Sequence, residues 1–425
     1  MKKAFFRLFL FLMPVLLLSG CVQQQEAADP TAAEPEVQTD PGGGPALRSE
    51  EMRAVWINYN EISMSQSGGG DATQFRQKIS GIFDTACSLG LNTVFVHVRA
   101  FSDAFYPSEL FPYSKYITGT QGKDPGYDPL KIMVEEAHAR SLQIHAWINP
   151  YRVSFDTDFD KLCDSNPAKK WYLEGGEKDP RLIICDQGIY YNPASPEAQE
   201  LIINGVREII TGYDVDGIHY DDYFYPSTNP GIDEAVYQTY RDSGGRYSLQ
   251  EWRRENVNNF VSGLYSAVKS VSEEIRVSIS PSANIKYNQE KMYADVQLWA
   301  QMPGYCDDLI PQVYYGFENE TLPFETAVHQ WNELCSSGAV RLCFGLAIYK
   351  CGTVDEFASS SEAPESARYE WQRSDDIIVR QIQAIRSVSQ YGGYALYSYS
   401  GISAPTNATA SAELEKYREQ VADLI

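Results

Sequence analysis

The chain has 425 residues, enough for one large domain or two ordinary ones, and its 57 acidic side chains outnumber 35 basic ones for a net charge of −22. That charge disfavours nucleic acid and other polyanions such as teichoic acid through long-range repulsion. No CxxC, His-x-His or HExxH spacing occurs, so no zinc or dithiol redox motif is written in the sequence.

Residues 1–20 begin with Lys2, Lys3 and Arg7 and continue through an apolar run at 8–18, the pattern of a secretory signal peptide whose core is too short for a normal membrane span. Leu18-Ser19-Gly20-Cys21 resembles the lipobox of bacterial lipoproteins. The resemblance implies cleavage before Cys21 and lipid attachment to its sulfur, with several acyl chains giving stable anchorage on the outer face of the bacterial cell membrane. Residues 21–51 are rich in Gln, Ala, Glu, Pro and Gly and hold almost no large apolar side chain, so they are expected to form a disordered tether.

From residue 52 to 425 apolar, β-branched strands alternate with helices. The strands are expected at 53–59, 93–100, 143–149, 217–221, 276–281, 308–315, 342–349 and 393–399. Helical spacing of apolar residues marks 75–89, 129–141, 196–210, 249–271, 290–302, 324–336, 376–390 and 410–421. Eight strands and eight helices in strict alternation predict a single (β/α)8 TIM barrel; a doubly wound open sheet is the alternative, but no glycine-rich phosphate turn follows the first strand.

In such a barrel, chemistry gathers at the carboxyl ends of the strands. Those ends carry Asn58, Asn60 and Glu61; Arg99 and Asp103; Asn149, Tyr151 and Arg152; Asp221 and Asp222; Ser280, Ser282 and Asn284; Gln312, Tyr314, Tyr315 and Glu318; Tyr349 and Lys350; and Tyr397 and Ser400. The fourth strand stands out, because Asp216-Gly217-Ile218-His219-Tyr220-Asp221-Asp222-Tyr223-Phe224-Tyr225-Pro226 ends in two carboxylates, three aromatics and a strand-stopping proline. Alternation puts Gly217, His219 and Asp221 on one face; if Ile218 and Tyr220 pack on helices, Asp221 faces the barrel axis.

Polar strand ends beside aromatic rings suit a sugar chain, whose C–H faces stack on rings while tyrosine adds a polar handle. Glycosidic hydrolysis ordinarily needs two carboxyl groups. Asp221 and Glu318 form the expected pair, with Asp222 and Asp103 as substitutes.

Several long segments then resemble the glycosyl hydrolase-like 10 family of bacterial lipoproteins. They are Val98-Arg99 with Asp103-Ala104-Phe105-Tyr106-Pro107-Ser108, the run at 116–130, and His145-Ala146-Trp147-Ile148-Asn149-Pro150-Tyr151-Arg152. The Asp216 to Pro226 stretch, Pro311-Gln312-Val313-Tyr314-Tyr315-Gly316-Phe317-Glu318 and Tyr397-Ser398-Tyr399-Ser400 continue the match in order. The resemblance implies a TIM barrel related to the α-amylase and α-galactosidase groups, with a nucleophilic aspartate at Asp221 and a sixth-strand acid at Glu318. It further implies action on peptidoglycan glycan strands stripped of their stem peptides. Asn58, Arg99, Asp103, His145, Trp147, Asn149, Arg152, His219, Tyr223, Gln312, Tyr314, Tyr315 and Tyr397 are the expected substrate-binding residues. The chain departs from the family pattern at Arg99-Ala100-Phe101-Ser102 and Ser280-Pro281-Ser282, both at strand ends.

Two connections, 101–128 and 150–196, exceed ordinary lengths and are read as functional. The first is expected to form a substrate-facing wall, and the second to present Trp171, Tyr172, Tyr190 and Tyr191 for stacking. His97, His145 and His219 should share the inner face of adjacent strands; they are read as satisfied inner-layer histidines rather than metal ligands, and no cofactor is expected. Seven cysteines remain after Cys21; Cys163 and Cys185 are the candidate disulfide pair, and at least one thiol must stay free. Two other classes fit the same residues: a non-catalytic glycan-binding barrel, and a metal-dependent deacetylase or amidase using the histidines.

Overall fold

The computed structural model describes residues 51–422; the expected signal peptide, Cys21 and tether residues 22–50 lie outside the described residues, whereas Glu51, expected as the end of the tether, is buried and ion-paired with Arg386, which holds it in the barrel. Eight parallel strands close into a barrel in the order β1 (Met52–Ile57), β11 (Tyr391–Leu396), β10 (Arg341–Leu346), β9 (Asp308–Leu309), β8 (Arg276–Ser280), β7 (Gly217–Asp221), β3 (Gln143–Ile148) and β2 (Thr93–Arg99), which pairs with β1 again. Helices join successive barrel strands, as the periodicity requires, and the architecture is the (β/α)8 barrel.

Strand alternation separates two cores. Val55, Val96, Ile144, Ile218, Tyr220, Val277, Ile279 and Leu396 point outward into the layer beneath the helices. Ala54, Trp56, Phe95, Trp147, Ile310, Cys343 and Ala395 fill the barrel interior. Glycine makes room where large inner side chains meet. A Cβ on Gly217 would lie 2.5 Å from His145 Nδ1, and one on Gly345 would lie 3.1 Å from the Trp56 ring. The helices start at side-chain caps: Asp71 before Ala72–Ser88 and Ser248 before Leu249–Lys269 form capping boxes with Gln74 and Glu251. Pro129 and Pro196 open their helices, where a missing N–H costs nothing.

The amino-terminal end of the barrel is closed by ions. Buried Asp308 accepts from Arg276 Nε at 2.7 Å and from Arg341 Nε at 2.5 Å, and Glu51 accepts from Arg386 Nε at 2.8 Å. A cavity of about 650 Å³ lined by Glu51, Arg276, Asp307, Arg341 and Tyr391 sits at this end, the face that serves stability in such barrels.

Several expectations need correction. The sixth strand, expected at 308–315, pairs only at Asp308–Leu309, because Pro311 cannot donate to the ladder; Gln312 makes isolated bridges to Ser282 and Gly345. The connection at 150–196 contains an antiparallel sheet of β4 (Arg152–Ser154), β6 (Gly188–Tyr191) and β5 (Leu182–Cys185), plus a helix at Pro167–Gly175. The helix expected at 290–302 begins only at Val296, capped by Asp295. The seven cysteines among the described residues are free thiols, so Cys163 and Cys185 are not bridged. Cys163 is drawn to the 101–128 segment, its backbone N–H donating to Gln121 Oε1, while Cys185 closes the β5–β6 hairpin opposite Gly188.

Candidate active site

The carboxyl ends of the barrel strands surround a cavity of about 440 Å³. Trp56, His97 and Trp147 lie deepest, and Asn58, Tyr59, Arg152, Phe155, Tyr223, Gln312, Tyr314, Tyr349 and Tyr397 form its walls. Tyr314 and Tyr397 stack with ring centroids 5.7 Å apart, and Tyr349 meets both edge-on. His97 lies flat against Trp147. Two further hollows adjoin this one. One of about 620 Å³ shares Arg152, Phe155 and Tyr223 and is lined by Tyr190, Tyr225 and Tyr287; the other, of about 140 Å³, shares Phe155 and reaches Asp103 and Gln121. The three make a groove with exposed rings along it, Phe155 being 60% and Tyr223 43% accessible.

Asp221 is the one carboxylate among the described residues lining the central cavity. It is 5% exposed and Oδ1 has no hydrogen-bond partner. Burial pushes its pKa up to about 8; Arg152 opposes the rise and neighbouring Asp222 adds to it. Burial thus favours the protonated carboxyl at this position. Trp147 Nε1, both nitrogens of His97 and Arg152 Nε are likewise buried without a well-formed hydrogen bond, although Trp147 lies beside Asp221 and Asn149 beside His97. Burial, helped by the charge of Arg152, holds His97 well below its ordinary pKa, so the ring is neutral. Three such polar side chains converging beside one buried acid mark a site built for a polar ligand, since buried polar groups are otherwise nearly always paired.

The Glycosyl hydrolase-like 10 family model matches residues 51–360. The chain belongs to that family. Among relatives of this glycosyl hydrolase-like 10 chain, Glycosyl hydrolase YngK of Bacillus subtilis is 34% identical over 328 residues, covering 72% of this chain and 62% of YngK. Glycosyl hydrolase DigH of Escherichia coli K12 is 29% identical over 374 residues, covering 79% of this chain and 81% of its own. The chain thus spans less than two thirds of YngK. The glycoside hydrolase domain of PgaB from Bordetella bronchiseptica superposes with a TM-score of 0.57 at 14% identity, covering 86% of this chain and 98% of that domain. The β-amylase catalytic domain of Paenibacillus polymyxa gives 0.53 at 11% identity, over 89% of this chain and 99% of that one. At these identities the two structures speak for the fold alone, and that fold is a TIM barrel used by glycoside hydrolases.

Of the residues singled out in the sequence, this glycosyl hydrolase-like 10 barrel brings together Asn58, Trp147, Arg152, Asp221, Tyr223, Gln312, Tyr314 and Tyr397. Others lie elsewhere. Glu318 is half-exposed and pairs with Arg373 Nη2 at 2.7 Å, away from the cavity, because Glu370 accepts the backbone N–H groups of Phe317 and Glu318 and turns the chain outward. Asp222 points the opposite way from Asp221 and accepts from Ser282 N–H at 2.7 Å; burial lifts its pKa to about 6. Asp103 lines the smaller hollow, accepts from Gln121 Nε2, and is also lifted by burial to about 6.

Arg99 shares the sequence parity of Phe95 and His97, but a register shift between His97 and Arg99 turns it off the inner face. Its guanidinium donates to the Pro150 carbonyl at 3.1 Å and lies over the Phe111 ring. Asn149 is buried with Nδ2 donating to the Ala100 carbonyl, and Tyr315 stands behind the wall, its carbonyl accepting from Gln381. His219 and His145 lie beneath the cavity, since each residue along a strand moves a side chain by about 3.3 Å. His219 Nε2 accepts from Trp56 Nε1 at 2.9 Å, which puts its proton on Nδ1 to donate to Ser278 Oγ at 2.8 Å. His145, expected to be satisfied, has no partner; burial lowers its pKa to about 4. Among the described residues no cluster of histidine, cysteine and carboxylate side chains has metal-binding geometry.

In the second long connection, Trp171 packs under Arg181, Tyr172 stacks on Phe159 and Tyr191 is buried, leaving Tyr190 on the groove. Residues 118–126 contribute only Gln121 to a hollow. Trp56 and Tyr59 carry no signal in the strand-end reading; Trp56 lies within β1, two residues before Asn58 just past the strand's end, so extending the alternation back along the strand finds it. Phe155 carried no such signal, because β4 is only three residues long. Glu61 acts behind the wall: it accepts from Asn58 N–H at 2.7 Å, Ser398 Oγ at 2.9 Å and Ser400 N–H at 2.6 Å, tying together the ends of β1 and β11.

Proposed function

We propose that this protein is an exported, lipid-anchored glycoside hydrolase that cleaves peptidoglycan glycan strands stripped of their stem peptides, with Asp221 as its catalytic acid. The observation that carries this reading is buried Asp221, its Oδ1 without a hydrogen-bond partner, at the centre of an aromatic groove at the carboxyl ends of the barrel strands. The family resemblance supplies the polymer, and the leader with Cys21 supplies the location.

The two-carboxylate scheme needs a second acid in the cavity, and neither Glu318, Asp222 nor Asp103 lines it. A 2-acetamido sugar can supply the missing group, as in substrate-assisted glycosidases. Asp221 gives its proton to the glycosidic oxygen as the C1–O bond breaks, and the acetamido oxygen bonds to C1 to form an oxazolinium ion. Water then opens that ring and returns a proton to Asp221. Trp147 Nε1 and the tyrosine hydroxyls offer donors for the acetamido and ring oxygens.

The test is reducing-end release from denuded peptidoglycan, its de-N-acetylated form and unrelated bacterial polysaccharides. Release from the acetylated strands only is expected. Release from no polymer favours a glycan-binding barrel, and equal release after de-N-acetylation contradicts acetamido participation.

A further inference from the structure

Arg152 is the one arginine or lysine among the described residues lining the central cavity, and no carboxylate pairs with it. This is unusual in an acidic chain, where buried Arg253 is bound by Asp233 and Arg276 by Asp308. Aromatic faces hold its guanidinium instead: Phe155 at 4.6 Å, Phe101 at 5.4 Å and Tyr223 at 5.5 Å. Rings fix the direction of the fork without neutralising it or competing for its N–H groups. Nε is buried and unpartnered. No ion pair or hydrogen bond joins the guanidinium to Asp221, the one carboxylate among the described residues lining the cavity.

We infer that Arg152 is a receptor for a carboxylate carried by the sugar, so that the groove selects acidic glycans. Planar guanidinium and carboxylate groups match through two parallel N–H···O bonds, and desolvation by the surrounding rings strengthens the pair. A chain with a net charge of −22 repels anions at long range. A cation set among rings in the wall of the groove therefore reads the anion only on contact, giving selectivity rather than steering. Given the glycan reading above, on which this inference rests, the group is the lactyl carboxylate of the muramyl sugar. That carboxylate is free only when no stem peptide is attached; with a peptide it becomes a neutral amide. One arginine thereby distinguishes stripped from intact strands by charge as well as by bulk.

The experiment measures calorimetric binding of soluble stripped glycan oligosaccharides, and of the same oligosaccharides with their carboxyls converted to methylamides. The proteins are full-length Asp221→Asn, to prevent turnover, and the same protein carrying Arg152→Gln or Arg152→Lys, each checked for folding by circular dichroism. The acid form should bind at least tenfold more tightly than the methylamide. Arg152→Gln should bind both within twofold, and Arg152→Lys should keep part of the preference, since it retains charge without the fork. Equal binding of acid and amide, discrimination that survives Arg152→Gln, or no binding of the acid form by folded protein would each overturn the inference. Discrimination without reducing-end release by the wild type would sink the hydrolase reading alone; release without discrimination would sink this inference alone.

Discussion

Replacing Asp221 with asparagine should stabilise the folded protein in a pH-dependent way. In the folded state burial lifts the Asp221 pKa to about 8, whereas an unfolded aspartate titrates near about 3.9. Between these values the folded protein keeps a proton that the unfolded chain has released, so stability falls as pH rises, by about 1.4 kcal/mol per unit. At pH 7 the accumulated cost is about 4 kcal/mol, and it levels off above pH 8. Asparagine has the same shape and no titration, so it removes this cost. The extra amide hydrogen, left without an acceptor, returns about 1–3 kcal/mol of destabilisation at every pH. The net gain at pH 7 is therefore about 1–3 kcal/mol, and the gap between variant and wild type should widen by about 3 kcal/mol from pH 5 to pH 7. Urea unfolding at half-unit pH steps measures that gap free of the constant term. A gap that does not change with pH would refute the assignment of Asp221 as a desolvated acid.

Further expectations follow from the same contacts. Proton donation by Asp221 requires its neutral form, so kcat/KM on denuded glycan should fall as pH rises through about 8; a rate that climbs across that range would exclude it as the acid. Glu318→Gln breaks only a solvent-exposed pair with Arg373, and activity within twofold of wild type, with stability changed by less than about 1 kcal/mol, is expected in a release assay and a thermal scan. Asp233→Asn leaves fully buried Arg253 without its counter-charge; urea unfolding should show a loss of about 3–5 kcal/mol. Arg99→Met removes the bond to the Pro150 carbonyl but touches no cavity. Its Tm should drop while KM at permissive temperature stays unchanged.

The barrel and its central acid were legible in the sequence because both rest on short-range rules. Strand and helix periods identified the eight repeating units, and period-two alternation within Gly217–Asp221 alone pointed Asp221 inward. The failures come from contacts that no local rule encodes. Glu318 follows the sixth strand in sequence, yet its direction is set by Glu370, some fifty residues later. Arg99 obeys the alternation until a register shift between β2 and β3 rotates it out. The histidines were placed on the correct face, but depth along the barrel axis decides which one meets a ligand; His97 reaches the cavity while His145 and His219 support it from below. The small sheet that carries Arg152 and leads into Phe155 leaves no signal in the sequence, because its strands of three and four residues are too short to show a period.

The central claim is that Asp221 cleaves glycan by donating its proton. It is tested most directly by reducing-end release from denuded peptidoglycan at pH 7, comparing the wild type with Asp221→Asn of proven fold. The account predicts robust release by the wild type and a loss of about 10²–10⁴-fold in the variant. Undiminished release by Asp221→Asn would contradict it.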